Sequence, residues 1–139
     1  MKIRTYNNKT DKAAVIELLG TVFTIDAPHN DPLTSIERKL KQNDNLLFIA
    51  ESDDKKIAGI VMAGYDGHRG WIYSLGVLPE YREEGIGTML LKHAENELKK
   101  LNCPKINLQI LSSNKEVTGF YQKNGYRIEE RISMGKILY

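Results

Sequence analysis

Residues 75–88 read Leu-Gly-Val-Leu-Pro-Glu-Tyr-Arg-Glu-Glu-Gly-Ile-Gly-Thr, and this stretch decides the fold. Its first residues are the end of an apolar run typical of a buried strand. After Gly85, apolar residues recur every four positions from Ile86 to Leu98, as in a helix. A glycine-rich loop before a helix favours phosphate, because the first helical amides lack internal acceptors and the helix dipole adds partial positive charge. Glycine also lets a phosphate approach the backbone closely. The stretch therefore predicts a strand, a phosphate-binding loop and a long helix.

Apolar periodicity predicts further elements on both sides of this stretch. The predicted strands are 2–6, 46–50, 57–65, 71–78, 106–110 and two more within 126–139. The first predicted helix begins near Thr10-Asp11, and the second carries Leu33, Ile36 and Leu40 on one face. The third runs from Gly85 to Leu101, and the short fourth helix ends at Asn124-Gly125. Three consecutive strands joined by tight turns pair antiparallel, whereas the strand–helix–strand unit at 71–110 gives one parallel pair. We predict an α/β fold of the mixed α+β kind, with helices on both faces of the sheet.

The composition is that of an ordinary globular domain. The chain has 139 residues, of which 41% are hydrophobic and 27% charged. A net charge of +2, with basic and acidic residues interspersed, gives no basic stripe, so we expect no nucleic-acid partner. No apolar run reaches the roughly 18 residues of a membrane span, and the residues after Met1 form no apolar signal, so we expect no membrane partner. The single Cys103 suits a reducing compartment, and we expect a cytoplasmic protein.

Two nucleotide-binding patterns do not fit the loop. A mononucleotide P-loop requires Lys followed by Ser or Thr after its second glycine, and the dinucleotide fingerprint requires a third glycine. Thr88, Met89 and Leu90 follow Gly87 instead. The three histidines, His29, His68 and His93, are scattered, and we expect no metal site.

The loop instead resembles the acyl-CoA loop of the GNAT acetyltransferase superfamily, through Arg82-x-x-Gly85-x-Gly87 after a strand. A second block at 114–126 is also similar to that family. It contains Asn114, Gly119, Phe120, Tyr121, Gly125 and Tyr126. With the element order, the resemblance covers nearly the whole chain and is greatest to the small bacterial members. It implies one acyl-CoA N-acyltransferase domain over residues 1–139, with a mostly antiparallel sheet of six to seven strands flanked by about four helices.

The resemblance implies an acetyl-CoA-dependent N-acetyltransferase that moves the acetyl group directly to a primary amine. Leu75, Gly76 and Val77 would present backbone groups to the pantetheine arm, with the Val77 amide or a neighbour as oxyanion donor. Gly76 inside a strand also predicts a bulge or a close backbone approach. The pyrophosphate would lie on a run of loop and helix amides. This run comprises Arg82, Glu83, Glu84, Gly85, Ile86, Gly87 and Thr88.

Two residues of the second block take further roles by resemblance. Asn114 would bond the pantetheine arm, although an Asn before a helix also suits a plain N-cap. Tyr121 would protonate the departing thiolate, although Phe120 and Tyr121 also suit an apolar core stripe. A tyrosine has an ordinary pKa near 10, so it is protonated at pH 7 and can act as an acid.

The chain departs from the family pattern at two places. Glu83 and Glu84 stand where small members usually carry a glycine and a basic residue, which puts carboxylates beside the pyrophosphate. Some members have a glutamate on the strand equivalent to 71–77, but Trp71-Ile72-Tyr73 offers none. The general base is therefore open. The candidates are a water chain, Tyr73, Asp26, His29 and Asp66.

A noncatalytic acyl-CoA sensor or interaction module is the alternative function. CoA release in the presence of an amine distinguishes an enzyme from such a module. The sequence does not identify the acceptor amine, which the loops at 24–32 and 66–70 and the final strands would select. Both a monomer and a homodimer formed through an edge strand are compatible with the sequence.

Overall fold

The computed structural model of the chain describes residues 1–139, which form two compact units, residues 1–109 and residues 110–139. The strands of the first unit are β1 (Lys2–Thr5), β2 (Leu47–Glu51), β3 (Ile57–Tyr65), β4 (Gly70–Val77) and β5 (Ile106–Leu108). Its helices are α1 (Asn8–Val22), α2 (Pro32–Lys41) and α3 (Ile86–Lys100). The second unit contains the helix α4 (Lys115–Lys123). Short 3-10 turns at Pro28–Asn30 and Pro79–Tyr81 precede α2 and α3.

The sheet has the order β1-β2-β3-β4-β5. The first four strands pair antiparallel, and β5 pairs parallel to β4 after the crossover through α3. This confirms the predicted mixed, mostly antiparallel sheet and its single parallel pair. The four helices also match the predicted number. The sheet has five strands, however, and not six or seven.

The missing strands are the two predicted within residues 126–139, where the structure has no strand. Apolar residues alternate there in the sequence, but their side chains are exposed, and Ile132 is 90% exposed. A strand requires a neighbouring strand to pair with its backbone, and its register is specified by a buried face. With Ile128, Ile132 and Met134 all exposed, no such face fixes a register. The prediction of two final strands is therefore wrong.

The two faces of the sheet carry different helices. Leu47 and Ile49 of β2 belong to a buried cluster with residues of α1 and α2, including Leu18 and Ile36. Because side chains alternate along a strand, Phe48 points to the other face, where its ring meets His93 of α3 edge-on at 4.6 Å. The predicted placement of helices on both faces is confirmed.

Helix starts follow from local capping. Asn7 caps α1 by accepting the Lys9 N–H, slightly before the predicted Thr10-Asp11 start, and Asp31 caps α2 by accepting the Thr34 N–H. In contrast, α3 begins after Gly85, which has a left-handed φ of 78° and no side chain that could accept a hydrogen bond from the first turn. The first amides of α3 are therefore left without a side-chain acceptor.

The buried side of α2 differs from the predicted one. Ile36 and Lys39 are buried, whereas Leu33 and Leu40 are 39% and 38% exposed. Lys39 replaces Leu40 on the inner face because its ammonium group reaches a buried backbone carbonyl, as described below.

None of the helices combines the length and the apolar character needed to cross a membrane.

Candidate active site

The edge of β4 exposes backbone groups beside the glycine loop. The Leu78 N–H donates to Ala58 O at 2.8 Å, so Leu78 faces β3. Backbone direction alternates along a strand, and Val77 and Leu75 therefore face away from β3. β5 pairs only with residues 70–72 of β4 and does not reach these two residues. The N–H groups of Leu75 and Val77 and the Leu75 carbonyl are consequently open to a ligand that adds alongside the strand.

The loop after β4 presents a continuous row of backbone donors. The 3-10 turn uses the Tyr81 and Arg82 N–H groups, and the Met89 N–H begins the helical pattern by donating to Gly85 O at 3.1 Å. Between them, the six N–H groups from Glu83 to Thr88 have no acceptor in the protein. Six neighbouring donors at a helix N-terminus fit a pyrophosphate, which offers several anionic oxygens.

Two left-handed residues shape this row of donors. Gly85 has φ of 78°, and Glu83 has φ of 67°. The first is a glycine and adopts this conformation at no steric penalty, whereas the second carries a side chain and is strained. Glu83 and Glu84 are both exposed, so their carboxylates project into solvent at the loop. Glu83 therefore combines a carboxylate beside the predicted pyrophosphate site with a strained backbone.

Gly76 marks a close approach, and the bulge lies elsewhere. A Cβ at Gly76 would come within 2.7 Å of Val22 and 3.1 Å of Phe23, at the end of α1. The register of β3 and β4 shifts between Met62 and Ala63, which leaves Tyr73 as the extra residue of β4. The Tyr73 ring covers Gly64 and its side chain is 59% exposed. The end of α1 and the bulged Tyr73 thus lie on the same face of β4.

The second unit places Asn114 and Tyr121 on one helix. Asn114 Oδ1 accepts the Val117 N–H at 3.2 Å, so it caps α4, as one reading of the sequence predicts. Tyr121 is 7% exposed and packs edge-on against Phe120 and Tyr126. Burial raises the pKa of Tyr121 to about 12, so the hydroxyl is protonated at neutral pH.

Comparison with known proteins decides the family. Residues 13–126 match the model of the Acetyltransferase (GNAT) family. An acetyltransferase from Yersinia pestis (strain Pestoides F) is 43% identical over 138 residues, which cover 99% of this chain and 96% of that protein. An acetyltransferase from Pectobacterium atrosepticum is 41% identical over the same shares of both chains.

The chain belongs to the GNAT acetyltransferase family. It is an acetyl-CoA-dependent N-acetyltransferase, and acetyl-CoA is its co-substrate. The predicted family and enzyme class are confirmed.

Solved structures support the fold of this acetyltransferase. The PaiA N-acetyltransferase from Thermoplasma acidophilum, solved in complex with coenzyme A, superimposes with a TM-score of 0.81 at 20% identity. The alignment covers 94% of this chain and 92% of that one. An aminoglycoside 6'-N-acetyltransferase from Acinetobacter haemolyticus gives a TM-score of 0.80 at 18% identity, covering 100% and 99% of the two chains.

Two of the candidate bases of this acetyltransferase are poorly suited to accept a proton. Asp66 accepts the N–H groups of Arg69 and His68 and the Trp71 indole N–H, and these bonds hold the pKa of its carboxyl below the usual value. Burial, with Asp66 and Asp44 nearby, raises the pKa of Tyr73, which keeps its hydroxyl protonated. Asp26 instead accepts the Asn30 amide at 2.9 Å.

Sequence patterns did not single out Lys39, although it supports the bulged region of the acetyltransferase. Its side chain is 7% exposed, and Nζ donates to Asp44 Oδ2 at 2.7 Å and to the carbonyl of Ala63. Ala63 is the β3 residue at the register shift opposite the bulge. The only sequence signal is the three-residue spacing from the buried Ile36, which places Lys39 on the same helix face.

Proposed function

We propose that this enzyme transfers the acetyl group of acetyl-CoA directly to a primary amine, with the donor held by the β4 edge and the loop after it. The six N–H groups from Glu83 to Thr88, none with an acceptor in the protein, carry this proposal. They would bind the pyrophosphate, with Arg82 adding positive charge and Thr88 a hydroxyl. A pyrophosphate-bearing ligand suits both these free donors and a family that uses acetyl-CoA.

The pantetheine arm would lie along the open edge of β4. Leu75 offers an N–H and a carbonyl there, and Val77 offers an N–H, as an added strand would require. The backbone groups of Gly76, which lies between them, point to β3. Because Gly76 has no side chain, the end of α1 can pack closely against the strand. The thioester carbonyl would then accept the Val77 N–H, which stabilises the oxyanion that forms during transfer.

The chemistry is a single displacement. The neutral amine attacks the thioester carbon, a C–N bond forms, and the C–S bond breaks with its electron pair on sulfur. The amine nitrogen loses one proton to water, and the thiolate gains one, so no further reactant is needed. Holding the two reactants together supplies much of the rate enhancement, because it replaces a bimolecular encounter.

Tyr121 would supply the proton to sulfur. Its pKa of about 12 keeps the hydroxyl protonated across the physiological range. A thiol has an ordinary pKa of about 8.5, below that of Tyr121, so the tyrosine hydrogen-bonds the developing thiolate and passes its proton to sulfur only as water reprotonates the phenol oxygen. Asn114 spends its oxygen on the α4 cap, which leaves its amide N–H groups to bind the pantetheine arm.

The acceptor would approach on the face of β4 that carries Tyr73 and the end of α1. The loop of residues 24–31 follows α1 directly, and the loop of residues 66–69 precedes β4. Loops at a rigid sheet commonly carry specificity, and these two would select the amine. A water chain, alone or with Asp26 or His29 of the first loop as its acceptor, would remove the amine proton.

The domain organisation, the compartment and the oligomeric state of the enzyme are also part of the proposal. Residues 1–139 would act as one acyltransferase domain, with the family match running from residue 13 to 126 through both compact units. The cytoplasm would be its compartment, since its single Cys103 is a free thiol. A monomer and a homodimer are both compatible with this function.

The test is thiol release. Purified enzyme is incubated with acetyl-CoA and a panel of primary amines, including lysine peptides, polyamines, amino sugars and protein N-terminal peptides, and free CoA is measured. We expect amine-dependent CoA release with at least one amine, together with the acetylated product by mass spectrometry. Tight acetyl-CoA binding without release across the panel would instead indicate a sensor, and no acetyl-CoA binding would refute the proposal.

A further inference from the structure

We infer that Arg82 is a positioning residue, which couples the phosphate-binding loop to the orientation of the Val77 amide. The inference rests on the proposed function and adds to it a route by which pyrophosphate binding aligns the oxyanion donor. Arg82 belongs to the loop by sequence, but its side chain returns to the strand that precedes the loop.

The bond between the two residues is specific. Arg82 Nε donates to the Val77 carbonyl at 3.1 Å. Val77 faces the open edge of β4, so this carbonyl has no partner from β3 or β5. The N–H and carbonyl of one strand residue point to the same side. These two groups belong to adjacent peptide units joined at the Val77 Cα, so a bond that holds the Val77 carbonyl restrains the backbone rotation that would turn the Val77 N–H away.

Without the Arg82 bond, only β3 would restrain the strand at this point, through the Leu78 N–H bonded to Ala58 O. Val77 is the last residue of β4, and after Leu78 the chain leaves the sheet through the 3-10 turn at Pro79–Tyr81. Strand ends fray because fewer backbone bonds restrain them. The Arg82 bond closes this turn from the side opposite β3, on the edge where the thioester would lie.

The same side chain also reaches the other end of the donor. Arg82 is exposed, and it immediately precedes the six N–H groups that begin at Glu83. Nε is one of five guanidinium donors, so the terminal nitrogens stay available for phosphate oxygens while Nε holds Val77. A phosphate bound there would restrain the guanidinium, and the restrained guanidinium would hold Val77.

Two variants of matched length separate this role from simple charge attraction. Arg82→Gln removes the charge but keeps an N–H donor at the position of Nε, because its amide nitrogen stands the same number of bonds from the backbone. Arg82→Met has the same length with neither charge nor donor. Two donors separate the ends of the ligand: acetyl-CoA has the pyrophosphate, and S-acetylpantetheine lacks it.

The experiment titrates each protein with both donors and follows the Val77 amide by NMR. With S-acetylpantetheine, we expect Arg82→Gln to match the wild type within about twofold and Arg82→Met to bind about fivefold more weakly, as the loss of one hydrogen bond requires. With acetyl-CoA, both variants should bind more weakly than the wild type. At saturating acetyl-CoA, kcat should fall further for Arg82→Met than for Arg82→Gln with any amine that supports turnover.

Each outcome has a distinct meaning. Equal S-acetylpantetheine binding by Arg82→Gln and Arg82→Met would overturn the inference, because Arg82 would then act as charge alone. A Val77 amide that does not respond to millimolar S-acetylpantetheine in the wild type would also overturn it. Failure of the wild type to bind acetyl-CoA would refute the proposed function itself, which these variants do not test.

Discussion

The guanidinium of Arg4 in β1 grips the carboxylate of Asp11 in α1 through two hydrogen bonds of 2.7 and 2.9 Å. Glu51 of β2 accepts from the same guanidinium at 2.9 Å, so one arginine joins two strands and a helix. The Asp11 side chain is only 3% exposed, and it also accepts the Asn7 N–H at 2.7 Å. This cluster fixes α1, whose other end packs against Gly76 of the candidate site.

Asp11→Asn should therefore destabilise the protein. The substitution keeps the shape of the side chain but leaves the Arg4 charge with Glu51 as its remaining carboxylate. We expect a loss of about 2 kcal/mol in the free energy of unfolding, measured by denaturant titration. The control is Glu51→Gln, which removes the outer partner and should cost less. Equal losses for the two variants would show that Asp11 contributes no more to the free energy of unfolding than Glu51 does.

The same pair predicts a pH dependence. Hydrogen bonds from Arg4 lower the pKa of Asp11, although burial opposes them. The folded pKa lies below the unfolded value of about 3.9, so the unfolded state binds more protons between the two values. The stabilisation is complete above about pH 4 and is lost as the pH falls through the folded pKa. Melting temperatures across this range should fall less steeply for Asp11→Asn than for the wild type, and parallel curves would exclude Asp11 as a source.

Glu83→Gly should strengthen acetyl-CoA binding with little change in stability. The substitution removes a carboxylate beside the pyrophosphate, and glycine adopts the observed φ of 67° without strain. The relief offsets the extra chain entropy of glycine, so we expect a stability change within about 0.5 kcal/mol. Calorimetric titration and denaturant unfolding measure the two effects.

Glu84→Gly is the matched control, since Glu84 lacks a positive φ. It removes the same charge but gains no relief of strain, and it should lower stability by about 0.5–1 kcal/mol. A larger stability loss for Glu83→Gly than for Glu84→Gly would show that the left-handed conformation is not strained.

Tyr121→Phe should lower turnover far more than acetyl-CoA affinity. The ring packing against Phe120 and Tyr126 is kept, and only the proton donor is removed. We expect kcat to fall by about tenfold or more while the dissociation constant for acetyl-CoA changes within about twofold. Unchanged turnover would remove Tyr121 from the acid role and leave it as a core residue.

Lys39→Met should destabilise the sheet next to the bulge. Methionine fills the space but leaves the buried Ala63 carbonyl without its donor, and we expect a loss of about 2 kcal/mol. Lys41→Met, an exposed position on the same helix, loses the same charge and should change stability little. Similar unfolding curves for both variants would show that the Ala63 contact contributes nothing.

Local features of the chain were predictable from sequence, and contacts between distant residues were not. The α3 helix and its loop follow from apolar spacing and from glycines, which act within a few residues, and the observed Ile86–Lys100 nearly equals the predicted span. Lys39 reaches a carbonyl 24 residues away, and no local pattern reports such a partner. The predicted final strands failed for the same reason, since alternation shows a possible face but not what covers it.

In the candidate site too, the features set by one short segment were predictable and those set by the path of the backbone were not. The row of donors from Glu83 to Thr88 is a property of one short segment, and the family resemblance located it. The strain at Glu83 and the bond from Arg82 to Val77 depend on how the backbone turns, which residue types alone do not specify.

Acetyl-CoA binding by the loop after β4 is tested most directly by titrating isotope-labelled protein with acetyl-CoA and following every backbone amide by NMR. We expect the six amides from Glu83 to Thr88 to shift most, accompanied by Leu75 and Val77 on the edge of β4. Saturating acetyl-CoA that leaves these six amides unchanged while others shift would contradict the assignment of the site.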